Sequence, residues 1–343
     1  MPGNHIRWLQ DLGQEHNDAV GKKCANLGEL ARLGIKVPPG FAISVDAHRR
    51  YMELTGLGGR IAEYFAPFGG ELKRSFSAQM EASRRVQEMI RAAPMPPEVG
   101  DEIEEGYELL CERCQTAKLP VAVRSSGAVS MPGQMETYLH VRGGAEVKRR
   151  VQDVWESAFN TRAIAFRLER GMDVHRALIG VGVIKMVDAK SAGVVLTIDP
   201  LTGVTDRAVI EGNWGLGESV VSGAMTPDHF VVMKATDVID RRIGRKARWV
   251  VPSGEGTAVA DVPAELQDAP CLTDEEIREL VRVAVSVERH FGVPQDLEWA
   301  VDRNLPLPES VFWVQARPAR HRQRPRSAEI DYLIEQMVRL FRC

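Results

Sequence analysis

Two segments near the end of the chain alternate between apolar and polar residues, and this pattern restricts both of them to half-buried β-strands. In residues 296–302 the apolar positions fall on one face and the acidic positions on the other. The apolar face carries Leu297, Trp299 and Val301, and the acidic face carries Asp296, Glu298 and Asp302. Residues 312–317 alternate in the same way, so Gln315 and Arg317 share a face. The apolar face of residues 296–302 is therefore expected to pack into a core.

A hairpin of these two strands would bring Glu298, Gln315 and Arg317 to one site. Carboxylate and amide oxygens are hard ligands, suited to a magnesium ion that is held together with substrate phosphates. A guanidinium can fork onto phosphate oxygens. A solvated strand edge explains the same pattern, and the two strands alone leave that alternative open.

The rest of the chain predicts an α+β protein whose helices dominate the first part and whose strands dominate the second. Helical patterns cover residues 22–33, 59–115 and 145–171, broken by prolines at 37–40 and 92–97, with extended segments at 41–45 and 121–123. Short valine-rich segments predict a mainly antiparallel sheet, and they are residues 182–187, 193–198, 208–211, 230–233 and 248–251. After these segments and before residues 296–302, Thr273 and Glu276 predict a capping box for a helix that ends at Gly292.

Two further segments carry residues suited to phosphate. Arg124 ends a buried strand, and residues 125–133 are small and include two glycines, which fits a loop whose backbone N–H groups approach an anion. The loop matches neither the Walker A nor the dinucleotide fingerprint, so an ordinary loop stays open. Lys22 and Lys23 begin the first helix, where a lysine can add charge near the positive helix end, although a solvated pair is the simpler explanation.

The bulk properties exclude several classes of partner. The chain has 343 residues, 44% of them apolar, which is enough for a large core. Its net charge of −3 gives no general attraction to nucleic acid or to a membrane surface. No apolar run approaches the roughly 18 residues that span a bilayer, and residues 1–10 lack a signal-peptide core. We therefore expect a cytoplasmic protein with no nucleic-acid or membrane partner.

Several ordered blocks together resemble the nucleotide-binding domain of phosphoenolpyruvate synthase, pyruvate phosphate dikinase and the related antibiotic-phosphorylating dikinases. The resemblance extends to about residue 320. The blocks are residues 20–29 (VGKKCANLGE), 37–41 (VPPGF), 122–126 (AVRSS), 131–139 (MPGQMETYL), 214–218 (WGLGE), 296–300 (DLEWA) and 315–318 (QARP).

This resemblance implies an ATP-grasp fold in which ATP lies between two lobes, residues 1–178 and residues 179–320, with a mainly antiparallel sheet in the second lobe. It implies catalytic phosphate contacts for Lys23, Arg124 and Arg317. Gly133 and Thr137 would belong to a closing loop at about residues 124–139, and Glu298 and Gln315 would hold Mg²⁺. Two residues depart from the family pattern: Lys22 stands where glycine is usual, and Ile184 stands where glutamine usually lies near the adenine. These departures leave the phosphate contacts intact and change residues that are expected beside the nucleotide.

In the relatives a swivelling domain with a phosphorylatable histidine follows, often within Thr-Cys-His-Ala, and none of the eight histidines here lies in that motif. We therefore expect a separate partner subunit to carry the histidine and the small-molecule acceptor. Split dikinases of this kind resemble phenylphosphate synthase, which implies transfer of the pyrophosphoryl group of Mg-ATP to the partner histidine, release of AMP and phosphate, and phosphorylation of phenol or a similar acceptor. The alternatives are a phosphoenolpyruvate synthase-like subunit acting on pyruvate, an ATP-grasp carboxylate ligase and a non-catalytic ATP-sensing activator.

The tail, residues 321–343, predicts a basic linker followed by an amphipathic helix. The apolar stripe of the helix consists of Ile330, Leu333, Ile334, Met337, Val338 and Phe341. Such a stripe either docks on a partner or folds back on its own domain, and the sequence leaves both open.

Overall fold

A computed structural model of the chain describes residues 5–129, 135–218, 226–254 and 256–319. It is a mixed helix and sheet structure. Its first sheet has five strands in the order β1-β2-β5-β3-β4, and each neighbouring pair is antiparallel. These strands are β1 (Ile6–Trp8), β2 (Gly40–Ile43), β3 (Val121–Ser126), β4 (Thr137–Val141) and β5 (Gly180–Lys185).

The second sheet has six antiparallel strands in the order β13-β12-β6-β7-β8-β9. In chain order the remaining strands are β6 (Ala189–Leu196), β7 (Arg207–Trp214), β8 (Asp228–Met233), β9 (Ile239–Arg242), β10 (Arg248–Ser253), β11 (Gly256–Asp261), β12 (Gln295–Asp302) and β13 (Val311–Pro318). Strands β10 and β11 form a separate hairpin. The antiparallel pairing that the sequence predicts is thus confirmed, but segment 248–251 belongs to this hairpin and not to the six-stranded sheet.

Helices separate and cover the strands. In the described residues they are α1 (Asn17–Val20), α2 (Lys22–Arg32), α3 (Val45–Leu54), α4 (Leu57–Phe65), α5 (Glu71–Arg74), α6 (Phe76–Ala92), α7 (Pro97–Arg113), α8 (Gly144–Ser157), α9 (Thr161–Glu169), α10 (Ala264–Gln267) and α11 (Asp274–Phe291). Single turns of 3-10 helix span Leu9–Asp11, Gln14–His16 and Ala66–Phe68. The predicted helix at 22–33 and the proline break at 92–97 are both present.

Helix α11 begins and ends where its local signals predict. The Thr273 hydroxyl accepts a hydrogen bond from the Glu276 backbone N–H at 3.3 Å, and the Glu276 carboxylate accepts one from the Thr273 N–H at 2.8 Å. Gly292 closes the helix in the left-handed region with a φ of 69°. The capping box and the glycine stop are therefore both confirmed.

The two faces of the first sheet belong to different cores. Val121, Val123 and Val183 pack with residues of α3, α6, α7 and α8 in one apolar cluster. Ala42 and Ile184 belong to a second cluster, which also contains residues of α2 and α11 and the core face of β12. Helix α2 and the face of the first sheet beside it are therefore joined to the second sheet through a shared core.

Trp299 anchors that second core in a space left by two glycines. Its side chain is 1% exposed. A Cβ built on Gly193 would lie 2.8 Å from the Trp299 ring and 1.9 Å from the Glu211 carbonyl, and one on Gly212 would lie 3.0 Å from the ring. The strands can therefore accept an indole only because both positions lack a side chain.

Some predicted boundaries differ from the structure. Strand β3 continues through Ser126, and Ser125 and Ser126 pair with Val181 and Gly180 of β5. The prediction that both serines belong to the phosphate-binding loop is therefore wrong, because they complete a buried sheet. The expected boundary between the two lobes lies between residues 178 and 179. Strand β5 comes after this boundary in sequence, yet it pairs within the first sheet. The predicted tail at 321–343 lies outside the described residues.

None of the helices in the described part of the chain is both long enough and apolar enough to cross a membrane. The cytoplasmic location stays a prediction.

Candidate functional site

Strands β12 and β13 form the hairpin that the alternating pattern predicts. Their register pairs Asp296 with Arg317 and Glu298 with Gln315, and it shifts immediately after Glu298. Residues that are directly opposite each other in an antiparallel pair project from the same face. One face of the hairpin therefore carries two charged or polar pairs.

Arg124 reaches this face from β3 of the first sheet. Its guanidinium donates to the Val314 carbonyl at 2.9 Å through Nη1 and to the Gln315 side-chain oxygen at 2.6 Å through Nη2. The same Nη2 lies 3.5 Å from Glu298 Oε2, and the side chains of Arg124 and Glu298 are only 13% and 18% exposed. Gln315 Nε2 in turn donates to Glu298 Oε1 at 2.7 Å. A cation, an amide and a carboxylate from two sheets thus form one connected network.

The Arg124 guanidinium also retains an unused donor. Its Nε is buried and has no hydrogen-bond partner among the described residues. A buried donor without a partner costs free energy, so a site of this kind favours an added acceptor such as a phosphate oxygen.

Glycine keeps the sheet open beside Arg124. Gly182 lies opposite Arg124 on β5, and a Cβ there would meet the Cys24 sulfur at 3.0 Å and Arg124 Cγ at 3.6 Å. On the other side Arg124 pairs with Thr137, an exposed residue at the start of β4. The structure therefore places Thr137 next to Arg124, as an edge of the same site. Gly133, the other predicted residue of the closing loop, lies outside the described residues.

The start of α2 is held against the end of β3. The Cys24 backbone N–H donates to the Ser126 hydroxyl at 3.1 Å. Gly21 precedes the helix with a φ of 79°, and a Cβ there would lie 2.0 Å from the Ser126 carbonyl oxygen. Close approach and left-handed backbone together require glycine at this position. A first-turn N–H group of the helix is thus used within the chain, and Lys23 adds a positive charge near this end.

Lys23 lies in the electrostatic field of the network. Its side chain is half-buried, and its ammonium makes no hydrogen bond or ion pair with any residue that the structure describes. The pKa of Lys23 is lowered to about 8, mainly by burial; the positive charges of Arg124 and Arg317 act in the same direction, and the Glu298 carboxylate opposes them. An unpaired cation beside two guanidinium groups is the arrangement expected of a site that receives a multiply charged anion.

Arg317 is already engaged by an acidic neighbour. Its Nε donates to Asp296 Oδ2 at 2.9 Å, and its Nη2 lies 2.7 Å from the same oxygen. Burial raises the pKa of Asp296, and the charge of Arg317 acts in the opposite direction. A phosphate that binds Arg317 must therefore compete with, or add to, this ion pair. Asp296 was predicted on the polar face but was given no role, although its position opposite Arg317 was a signal for one.

A small apolar cluster adjoins the polar network. It consists of Ala189, Ala192, Leu216, Val250 and Ala300, with Met186 and Val187 packed against it. Ala300 pairs with Ala192 in the same register that pairs Glu298 with Val194, so the cluster continues the face that carries Glu298. Ile184 does not belong to it, because it is 3% exposed within the larger core that α2 and the second sheet share.

Sequence reasoning missed two further residues that shape the site, Asn26 and Gly182, and it assigned Ser126 to a loop. The side chains of Asn26 and Ser126 hydrogen-bond to backbone groups, Gly182 acts by its small size, and the partner of each is distant in sequence. Cys24 and Ser126, for example, are 102 residues apart. No local pattern could have identified these contacts.

Comparison with known proteins gives consistent results. A family model described as the AMP/ATP-binding domain of pyruvate phosphate dikinase matches residues 17–336. A probable phosphoenolpyruvate synthase of Methanocaldococcus jannaschii is 37% identical over 91% of this chain and 26% of its own length. The phosphoenolpyruvate synthases of Aeropyrum pernix and Escherichia coli are 38% and 36% identical, over 91% and 93% of this chain and 42% of each relative. The chain thus spans less than half the length of these relatives.

A solved structure of N5-carboxyaminoimidazole ribonucleotide synthetase in complex with ADP covers 72% of this chain and 58% of that chain. Its TM-score of 0.24 and sequence identity of 10% are too low to carry an argument.

Proposed function

The chain belongs to the pyruvate phosphate dikinase AMP/ATP-binding domain family, and from this premise we propose that it binds Mg-ATP between its two sheets and activates the nucleotide for phosphoryl transfer. We further propose that the two sheets are the two lobes of an ATP-grasp fold. The observation that carries the proposal is the network of Arg124, Glu298 and Gln315, because it joins the two sheets through groups suited to phosphate and to magnesium.

The donor set fits a magnesium ion. Glu298 supplies a carboxylate, and the Gln315 side-chain oxygen, which accepts from Arg124, retains a second lone pair. Hard oxygen donors together with substrate phosphates are the ligands that Mg²⁺ prefers. Glu298 and Gln315 would hold the ion, which when bound neutralises charge on the phosphate oxygens.

Lys23, Arg124 and Arg317 would bind the phosphates. All three are cations at neutral pH, and the guanidinium groups can fork onto phosphate oxygens and stabilise charge that develops during transfer. The apolar cluster around Ala192 and Ala300 offers a surface for the nucleobase beside this polar network. Thr137 and Gly133 would close the site over the phosphates.

We propose that the acceptor is a histidine on a partner subunit. A histidine nitrogen attacks the β-phosphorus, the bond from that phosphorus to the α,β-bridging oxygen breaks, and the oxygen leaves with AMP. Water then hydrolyses the pyrophosphohistidine to phosphohistidine and phosphate. Among the described residues no histidine hydrogen-bonds to Lys23, Arg124, Glu298, Gln315 or Arg317, which supports an acceptor from outside this network.

The final acceptor has two candidates. Phenol follows from the resemblance to split dikinases of the phenylphosphate synthase kind. Pyruvate is favoured by the names of the relatives, which are phosphoenolpyruvate synthases. Both acceptors are small molecules that the partner would bind.

The experiment is to incubate the chain with ATP labelled in the β-phosphate, magnesium and candidate partner chains, with and without phenol or pyruvate. We expect AMP to form and acid-labile phosphate to appear on a partner histidine. ADP formation would contradict the dikinase mechanism, and ATP consumption without any partner would favour a carboxylate ligase.

Glu298→Ala should abolish turnover, whereas normal product formation with weaker ATP binding would support the ATP-sensing alternative.

A further inference from the structure

Helix α2 contacts both sheets, and Lys23 lies in its first turn, three residues before Asn26. At its start, the Lys22 backbone N–H donates to the Gly127 carbonyl at 3.0 Å and the Cys24 N–H donates to the Ser126 hydroxyl at 3.1 Å. These bonds fix the first turn of the helix to the end of β3, the strand that carries Arg124. They do not fix the helix relative to the second sheet.

In addition to the apolar core that α2 shares with the second sheet, Asn26 supplies a polar attachment to it. Its side-chain Nδ2 donates to the Ala316 carbonyl of β13 at 2.8 Å, across 290 residues of sequence. Strand β13 is at the edge of its sheet, so outward carbonyls such as this one have no neighbouring strand to accept from. Ala316 lies between Gln315 and Arg317, and the bond therefore holds α2 at the point of β13 that carries both site residues.

Asn26 and Lys23 also lie on one face of α2. Residues three apart are neighbours on a helix surface, and both side chains are half-buried whereas Cys24, Ala25 and Leu27 are buried in the core. A shift of α2 along β13 would therefore move the Lys23 ammonium by a similar distance relative to Gln315 and Arg317.

We propose that Asn26 is a positioning residue, which sets the distance between the Lys23 ammonium and the polar side chains of β13 so that one triphosphate can contact both. The inference rests on the proposed function, since it concerns the same nucleotide site. Asn26 acts through Lys23 and β13 and needs no contact with the nucleotide. A ligand that spans α2 and β13 depends on this distance, whereas a ligand that occupies only part of the site does not.

The test compares two ligands by isothermal titration calorimetry of the full chain. One is an α,β-methylene analogue of ATP with magnesium, whose α,β linkage cannot be cleaved, and the other is AMP alone. In Asn26→Ala the Kd of the magnesium–analogue complex should rise about tenfold, while the Kd of AMP stays within about twofold. Asn26→Gln keeps an amide donor on a longer side chain and should restore part of the difference. A general loss of folding would instead weaken both ligands alike.

Arg32→Ala is the matched control on the same helix. Arg32 pairs with Glu15 at 2.5 Å and donates to the Asp11 carbonyl at 3.3 Å, so its loss removes α2 contacts without touching β13. Both Kd values should stay at their wild-type level in this variant. The inference is overturned if Asn26→Ala changes both ligands equally or neither of them. If the wild-type chain binds neither ligand, the proposed function itself fails, and the inference falls with it.

Discussion

The Arg124 guanidinium donates to the side-chain oxygen of Gln315 at 2.6 Å, although 191 residues separate the two in sequence. Because Gln315 Nε2 donates to Glu298 on its other side, the amide can adopt only one orientation, with its oxygen toward Arg124. The strand from the first sheet therefore orients a candidate metal ligand of the second sheet. Any movement of the two sheets relative to each other would disturb this ligand.

Replacing Arg124 by lysine tests whether the site needs the forked donor geometry of the guanidinium. A lysine keeps the positive charge but is a point donor on a flexible chain, so it cannot bind Val314, Gln315 and a phosphate with fixed geometry. We expect the Mg-ATP affinity of Arg124→Lys, measured by calorimetry, to fall about 10- to 100-fold, the range for one or two lost charge-assisted contacts. Arg142→Lys is the control, because Arg142 also donates to a carbonyl, that of Lys118, at 3.1 Å. Equal affinities in both variants would contradict a special role for Arg124.

Replacing Glu298 by glutamine tests the metal site. The side chain keeps its size but loses the charge that pairs with Arg124 at 3.5 Å and that would hold magnesium. We expect the magnesium concentration needed for half-maximal ATP binding to rise about tenfold or more, with AMP binding in the absence of metal unchanged. Glu279→Gln, which removes a carboxylate paired with Arg282 at 2.7 Å on helix α11, should leave the magnesium requirement unaltered. An unaltered requirement in Glu298→Gln would exclude Glu298 as a ligand.

The parts of this fold that the sequence predicts are those set by local chemistry. The polar face of β12 follows from strict alternation, and the limits of α11 follow from the capping box at Thr273 and the stop at Gly292. Neither needs any knowledge of distant residues. The same applies to the strand hairpin, whose partners are close in sequence.

The parts that the sequence leaves undetermined depend on long-range packing. Serine is a common loop residue, but Ser125 and Ser126 are strand residues because they pair with β5. Both are buried in the folded chain. Arg124 and Asn26 each donate to a carbonyl group of β13, and which carbonyl each one reaches likewise depends on how the two sheets pack. A single sequence carries no signal for such pairings. By contrast, the pairing of Asp296 with Arg317 could be predicted once the hairpin was assumed.

The lowered pKa of Lys23, about 8, predicts how Mg-ATP affinity changes with pH. Bound phosphates stabilise the charged ammonium, so the pKa of Lys23 is higher in the complex than in the free chain. Affinity should therefore be constant below the pKa of the free chain and fall as the pH rises through about 8. Calorimetry between about pH 7 and pH 9.5 measures this decline, which approaches about tenfold per pH unit.

Lys23→Arg should abolish the decline, since a guanidinium stays charged throughout this range. Lys22→Arg is the matched control one position away, where the side chain is exposed. It should retain the wild-type pH profile. If Lys22→Arg abolished the decline and Lys23→Arg did not, the phosphate contact would belong to Lys22.

A fully buried ion pair holds the loop before β10 to the second sheet. Lys246 Nζ lies 2.6 Å from Asp228 Oδ1, and both side chains are 0% exposed. Asp228 also accepts from the Gly244 N–H at 2.9 Å and from the Cys271 N–H at 2.8 Å. The carboxylate is therefore surrounded by donors, and Lys246 supplies the charge that balances it.

Asp228→Asn should lower the free energy of unfolding by about 3–5 kcal/mol, because it leaves the Lys246 ammonium buried without a counter-charge. Urea denaturation measures the loss, and the double variant Asp228→Asn with Lys246→Met should recover part of it, since it removes the stranded charge. Asp261→Asn is the exposed counterpart: this carboxylate pairs with Arg248 at 3.6 Å and is 88% exposed, so its loss should cost less than about 1 kcal/mol. If Asp228→Asn costs no more than Asp261→Asn, Asp228 and Lys246 do not form an ionic pair in the folded chain, and the attachment of the loop rests on its backbone hydrogen bonds alone.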